Sequence, residues 1–239
     1  MLPKKIHYCW FGGSELPSSV KHCIDSWRQM CPDYEIIRWD ESNFDVYSHP
    51  FMKAAYESKS WAFVSDYARL KVVYENGGIY LDTDVELIKK LDGLLQEKCY
   101  FGLQQMENLC ATGLGFGAEK GSRIVKEMMD CYNDIEFNAD DKLSISCPIL
   151  NTKVLINNGY KQTSITEVFR NEEFTVYPSC YFDPFSTITK TDILCDETYS
   201  IHHYSASWCS FTQRMKRKLV CFVGEKRFIK IRKWFGSIM

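Results

Sequence analysis

Residues 61–86 read WAFVSDYARLKVVYENGGIYLDTDVE, and no other stretch limits the possible folds so tightly. Ser60 stands where an N-cap belongs, and residues 61–75 hold neither Gly nor Pro. Apolar side chains recur at helical spacing at Trp61, Val64, Ala68 and Val72, so the segment reads as a helix. Asn76-Gly77-Gly78 ends it, because Gly adopts the left-handed conformation of a helix C-terminus at little cost. Ile79-Tyr80-Leu81 is β-prone and apolar, which suits a buried strand. Asp82-Thr83-Asp84 follows at once, placing two carboxylates where a strand leaves the sheet. Open α/β sheets bind their ligands there.

In an extended Asp-Thr-Asp the two acidic side chains point the same way, since side chains alternate along a strand. Two like charges that close repel, and one carboxyl tends to keep its proton unless a cation relieves the conflict. Mg²⁺ or Mn²⁺ does so, typically using one or two carboxylates and completing its shell with substrate phosphates and water. A bare Asp-x-Asp is short and common, and by itself reads more simply as a solvated turn. Asp66 and Arg69, three apart on the preceding helix with Ser65 beside them, share one face. Alone they read as an exposed ion pair worth about 0.3–0.5 kcal/mol. The return through Gly77-Gly78 lets that face look into the crevice at the two acids.

Ser65-Asp66-x-x-Arg69 followed by Asn76-Gly77-Gly78-Ile79-Tyr80-Leu81-Asp82-Thr83-Asp84 resembles the core signature of the family 32 glycosyltransferases, the sugar transferases with a DXD motif. It is similar also to the catalytic core of the clostridial glucosylating toxins. The resemblance covers residues 4–90 well and the region of residues 202–208 moderately. It implies a GT-A fold over residues 1–210: one Rossmann-like α/β domain around a mainly parallel central sheet. It also implies a divalent cation, a nucleotide-sugar donor with UDP favoured over GDP, and retention at the anomeric carbon. Bacterial relatives of this size often serve capsule or other surface-polysaccharide synthesis. By the same resemblance, Asp84 binds the cation directly, and Asp82 contacts ribose or binds the cation through water. Asp66 and Arg69 hold sugar hydroxyls, with Arg69 also near the diphosphate. Ser65 and Tyr80 fall within the same nucleotide site.

Two flanking stretches extend the likeness. Residues 4–11, KKIHYCWF, read as a buried first strand before Gly12-Gly13, and related transferases open with a similar Ile-His-x-x-Trp-x-Gly-Gly run that lines the nucleotide pocket. Trp10 there either stacks on the base or packs in the core. Residues 199–208, YSIHHYSASW, resemble a His-His-x-x-x-Ser-Trp run near the end of such catalytic domains. One residue of that run completes the metal shell or contacts the diphosphate, and the Ser-Trp pair, here Ser207 and Trp208, caps the pocket. Adjacent histidines on a strand face opposite sides, so only one points at a given site. His203 is favoured slightly over His202. Imidazole suits Mn²⁺ better than Mg²⁺.

Elsewhere the chain alternates. Residues 18–30 read as a helix and 34–39 as the second strand, an order that favours a parallel pair with a right-handed crossover. Residues 51–59 read as a short helix. Beyond Asp84, residues 85–88 continue as a strand and 91–95 form a helical turn. Strands are expected at 99–104, 110–118 and 174–177, a polar turn at 138–142, and helices at 122–135 and 149–156. Residues 112–117 are Gly-rich but form no phosphate loop, since no Gly-Lys-Ser/Thr follows; the glycines point to close backbone approach, with the sugar as the candidate. Where relatives often carry Thr-Gly-Pro, this chain has Ser146-Cys147-Pro148. The aromatic run at 181–185 could touch substrate, with packing the favoured reading.

The 239 residues, 45% hydrophobic and 25% charged, suffice for one sizeable core. The 11 Cys include no Cys-x-x-Cys pair, which excludes zinc-finger spacing. Without a secretory h-region they are expected to be reduced thiols of a cytoplasmic protein. No apolar run approaches the ~18–20 residues that span a bilayer. From residue 214 onward nine Lys/Arg stand against one Glu, so that segment carries +8 and the remainder about −10 of the net −2. Residues 211–239 read as a basic amphipathic helical tail, an anchor on anionic lipid at the inner face of the cell membrane. Such an anchor suits a lipid-linked or glycan acceptor. No nucleic-acid recognition module accompanies the charge.

Two further functions compete with sugar transfer. A haloacid-dehalogenase-type phosphatase also carries Asp-x-Asp after an apolar strand, with Asp82 as nucleophile, but Glu86 stands where Thr or Val is expected. A non-catalytic nucleotide-sugar or glycan-binding protein could use the same scaffold. The intact Asp66, Arg69, Asp82 and Asp84 argue against such decay.

Overall fold

The computed structural model describes residues 1–138, 146–162, 166–186 and 191–204. The chain opens with β1 (Lys5–Cys9), α1 (Ser18–Met30), β2 (Glu35–Trp39) and α2 (Pro50–Glu57), then enters α3 (Trp61–Asn76). β3 (Gly78–Tyr80) and β4 (Val85–Leu87) follow, then a 3₁₀ turn at Leu91–Leu94. β5 (Cys99–Gly102), β6 (Phe116–Ala118), α4 (Arg123–Asp130) and α5 (Cys147–Asn157) complete the framework. Five short strands close the described chain: β7 (Phe169–Arg170), β8 (Thr175–Tyr177), β9 (Phe185–Ser186), β10 (Thr191–Asp192) and β11 (Ser200–His202).

Seven strands form the central sheet in the order β2-β1-β3-β6-β5-β8-β7. β2, β1, β3, β5 and β8 run one way; β6 and β7 run against them. The sheet is thus mainly parallel, with helices covering it, as the β-α-β order of the sequence requires. α3 lies between β1 of the sheet and the helices α2 and α4. Being covered on several sides, it buries Leu70 and Val73 as well as Val64, Ala68 and Val72. The buried Val and Leu side chains contribute roughly 1.5–3 kcal/mol each.

Gly77 (φ +66) ends α3, its N–H donating to the Val73 carbonyl at 2.8 Å. Gly78 (φ +109) has no room for a side chain: a Cβ would stand 3.0 Å from His7 Nε2. His7 is fully buried and locked in one tautomer. Trp39 Nε1–H donates to its Nδ1 at 3.1 Å, so Nε2 carries the proton and donates to the Gly77 carbonyl at 2.8 Å. Burial lowers its pKa.

Several expectations need correction. Ser60 occupies the N-cap position of α3, but its hydroxyl makes no capping bond; its backbone carbonyl accepts from Phe63 N–H instead. The strand expected at 85–88 is present as β4, but it lies outside the central sheet. It pairs antiparallel with β11 in a separate ribbon, tied to α1 by Trp27 Nε1–H donating to the Val85 carbonyl at 2.7 Å. Of residues 110–118 only Phe116–Ala118 is strand, because the preceding glycines turn the chain over Asp82. α4 stops at Asp130, short of the expected 135. The tail at 211–239, Ser207, Trp208 and most of the polar turn at 138–142 lie outside the described residues. No helix among the described residues is long and apolar enough to cross a membrane, and the described cysteines are free thiols.

Candidate active site

The strand order reverses at β1, with β2 on one side and β3 on the other. A cavity of about 610 Å³ opens there, at the residues that follow β1 and β3. That volume lies within the ~300–1,000 Å³ typical of ligand sites.

Arg69 organises one wall. It is only 5% exposed. Its Nη2 lies 3.1 Å from Asp66 Oδ1 and 3.2 Å from Asp82 Oδ1, and its Nε donates to the Ser65 carbonyl at 3.1 Å. The guanidinium also stands over the Tyr80 ring, 5.3 Å from the centroid. Burial opposes its charge, but the two carboxylates prevail and hold its pKa well above the ordinary value. Burial in turn pushes the Asp66 carboxyl up to about 6, against the pull of Arg69. It raises Asp82 likewise. Tyr80 donates its hydroxyl to Asp82 Oδ1 at 3.0 Å.

Gly113 shapes the other side of Asp82. The Asp82 N–H donates to the Gly113 carbonyl at 3.1 Å. A Cβ at residue 113 would stand 2.1 Å from Asp82 Oδ2 and 3.0 Å from Arg69 Nη1. The close backbone approach expected of this Gly-rich stretch is thus made, at Gly113, to the protein's own carboxylate rather than to a sugar.

Asp82-Thr83-Asp84 is not extended. Thr83 and Asp84 form a turn, with the Val85 N–H donating to the Asp82 carbonyl at 3.0 Å. The β4–β11 ribbon then brings His202 to the turn, its Nε2 3.0 Å from Asp84 Oδ1. One oxygen each of Asp82 and Asp84 and one ring nitrogen of His202 lie within 4.8 Å of one another. Burial disfavours the His202 imidazolium, yet Asp84, Asp82 and Asp183 together raise its pKa.

Residues 17–101 match the family described as a glycosyltransferase sugar-binding region containing a DXD motif. Over that stretch the chain is similar to the DXD-type glycosyltransferases. It is 32% identical over 145 residues to inositol phosphoceramide mannosyltransferase 3 of Schizosaccharomyces pombe, an alignment covering 57% of this chain and 39% of the relative. The chain thus spans well under half the length of that relative. It is 24% identical over 219 residues to an uncharacterized glycosyltransferase of Acanthamoeba polyphaga mimivirus, covering 87% of this chain and 84% of the relative. The solved PaToxG glycosyltransferase shares the fold with a TM-score of 0.55 at 19% identity, over 66% of this chain and 70% of its own.

Around this cavity the expected residues divide. Asp66, Arg69, Asp82, Asp84 and Ser65 all line the cavity. Trp10 lines it too, its Nε1–H donating to the Ser14 carbonyl at 2.7 Å. Gly12 (φ +94) lets the following turn lie on Trp61, since a Cβ there would stand 2.8 Å from the indole. Tyr80 does not reach the cavity; it is 1% exposed and acts on the site through Asp82. His203 faces away, its Nε2 2.8 Å from Glu86 Oε2. The ladder explains this: residues 86 and 203 share a face of the ribbon, while the turn at residues 83–84 swings Asp84 out of alternation toward His202. Asp82, the nucleophile a phosphatase would need free, is bonded to Arg69 and Tyr80.

Sequence reasoning missed Asp183, buried below His202, and the cluster around Cys147. Cys147 Sγ lies 3.1 Å from Thr112 Oγ1 and accepts from Asn151 Nδ2 at 3.0 Å, beneath Arg69. Burial pushes that thiol up to about 12, so it serves as a neutral part of the floor. Cys147 had a signal, as the departure from Thr-Gly-Pro; Asp183, inside an aromatic run, had none.

Proposed function

We propose that this chain is a divalent-cation-dependent transferase that moves a hexose from a nucleotide sugar, UDP-linked in preference to GDP-linked, to a glycan or lipid-linked acceptor with retention at the anomeric carbon. One observation carries the reading: Asp82, Asp84 and His202 converge within 4.8 Å beside the buried Asp66–Arg69 pair. Two carboxylates and an imidazole are a donor set for Mn²⁺, with Mg²⁺ the harder alternative. His202 replaces His203 as the nitrogen ligand. Bound there, the cation would supply Lewis-acid stabilisation of the charge growing on the departing nucleoside diphosphate.

The chain's own residues do the rest. Arg69, permanently charged and rigidly held, presents a fixed positive group toward the diphosphate. Asp66 is placed to hold sugar hydroxyls, and Trp10 offers its face to the base. The catalytic unit is assigned to residues 1–210. The basic segment 211–239 is assigned to the cytoplasmic face of an anionic membrane, in surface-polysaccharide synthesis. The fission-yeast relative's name joins mannosyl transfer to an inositol phosphoceramide, which supports a lipid-bearing acceptor and adds mannose to the candidate donors.

The deciding experiment is nucleotide release from a panel of UDP- and GDP-sugars with Mn²⁺, Mg²⁺ or chelator, on the native chain and Asp84→Ala. Release from one donor, lost with chelator and in the variant, is expected. Binding of the donors without release under any condition would favour a non-catalytic binding protein.

A further inference from the structure

Asp183 lies just beyond the 3₁₀ turn at Ser179–Tyr181, is 2% exposed, and belongs to no sequence motif. Its Oδ2 is doubly engaged, accepting from the Gln105 backbone N–H at 2.8 Å and from the Tyr204 hydroxyl at 2.8 Å. Its Oδ1 is buried with no hydrogen-bond partner. The Tyr204 ring meets the His202 ring edge-on, 4.1 Å between centroids, and His202 Nδ1 is likewise buried without a partner. Buried polar atoms are nearly always paired, so two unpaired ones linked through Tyr204 call for an explanation. Their charges act on each other: His202 draws the Asp183 pKa down and Asp183 draws that of His202 up. Tyr204 is held at φ +48, a left-handed conformation uncommon for residues other than Gly, and its hydroxyl stays on Asp183.

We propose that Asp183 is a positioning residue for His202: when a divalent cation binds at Asp82 and Asp84, the Asp183 Oδ1 and the His202 Nδ1–H, unpaired in this structure, close into a hydrogen bond that leaves the Nε2 lone pair to the cation. The proposal rests on His202 being a cation ligand. Metal-binding histidines commonly donate their second ring N–H to such a carboxylate, which sets both tautomer and ring orientation.

Asp183→Asn tests it sharply. The Gln105 N–H and the Tyr204 hydroxyl both donate to Oδ2, so the Asn carbonyl takes that place and its NH₂ replaces Oδ1. A donor then faces His202 Nδ1, and the ring must carry its proton on Nε2, toward the cation site. Mn²⁺ binding to the full chain is measured by electron paramagnetic resonance of the free ion, with thermal unfolding alongside. Asp183→Asn is expected to weaken binding roughly ten- to a hundred-fold, His202→Ala at least as much, and the double variant no more than His202→Ala alone. Wild-type affinity in Asp183→Asn, or additive losses in the double variant, overturns the proposal. Wild-type affinity in His202→Ala overturns the ligand reading beneath it instead. Should Asp183→Asn not fold, the wild-type chain with Mg²⁺ decides by ¹⁵N-resolved NMR: a His202 Nδ1–H proton shifted far downfield, as in a hydrogen bond to a carboxylate, supports the proposal, and an Nδ1–H at the ordinary imidazole shift sinks it.

Discussion

Asp84 and His202, 118 residues apart in sequence, meet with Oδ1 and Nε2 3.0 Å apart. The contact joins the end of the DXD motif to the last described strand, and it divides the two adjacent histidines into one that faces the site and one that does not. His202→Ala is expected to reduce cation-stimulated donor hydrolysis by about ten- to a hundred-fold, the usual scale for a lost metal contact. His203→Ala removes a half-exposed pair with Glu86, worth about 0–1 kcal/mol, and is expected to leave the rate nearly unchanged. Equal losses in the two variants would contradict the geometry.

Arg69 is the counter-charge of two buried acids. Arg69→Met leaves Asp66 and Asp82 without it, and breaking a buried pair in this way costs about 3–5 kcal/mol. Urea unfolding is expected to show that loss, together with no detectable donor turnover. A variant as stable as the native chain would mean the acids find other partners.

Asp66 gives a pH signature. Burial holds its folded carboxyl at about 6, above the ordinary 3.8. The folded state therefore binds the proton more tightly than the unfolded one. Stability falls as pH rises from about 4 to about 6 and is level above, a penalty on the order of 2–3 kcal/mol at neutral pH. Asp66→Asn removes the penalty. Its unfolding free energy relative to the native chain is expected to grow across that window while donor turnover is lost. A difference between the two chains that does not change with pH would refute the assignment.

Gly113→Ala tests the fit of the loop over the motif. The new methyl would overlap Asp82 Oδ2, so the carboxylate or the loop must shift. Turnover is expected to fall about a hundredfold, since ångström-scale misplacement at a reacting site costs that much. Circular dichroism should show the fold retained. Unaltered kinetics would show that Asp82 has room to move.

Truncation after Gln213 addresses the basic segment. The shortened chain is expected to lose co-sedimentation with anionic vesicles and to keep hydrolysis of a soluble donor. Continued sedimentation would place the membrane contact elsewhere.

Local features were legible in residues 61–84 because their causes are local. Helical spacing, the Gly77-Gly78 stop and a short apolar strand belong to neighbouring residues, and they fix the order helix, strand, acids. The turn of the β-α-β unit from residue 5 to residue 39 followed from the same kind of pattern. Tertiary structure alone decided which side chains those acids meet. Alternation in a strand tells that His202 and His203 point opposite ways, but not which way the ribbon sits, and the turn at residues 83–84 changes the parity. The space at Gly113 is defined by a carboxylate 31 positions away, and the charge of Arg69 by the acid of another element. Asp183 shows the limit most clearly. It sits between Phe182 and Pro184 in sequence, its proposed work is electrostatic, and only the packing of distant segments around it gives a single buried carboxylate that meaning.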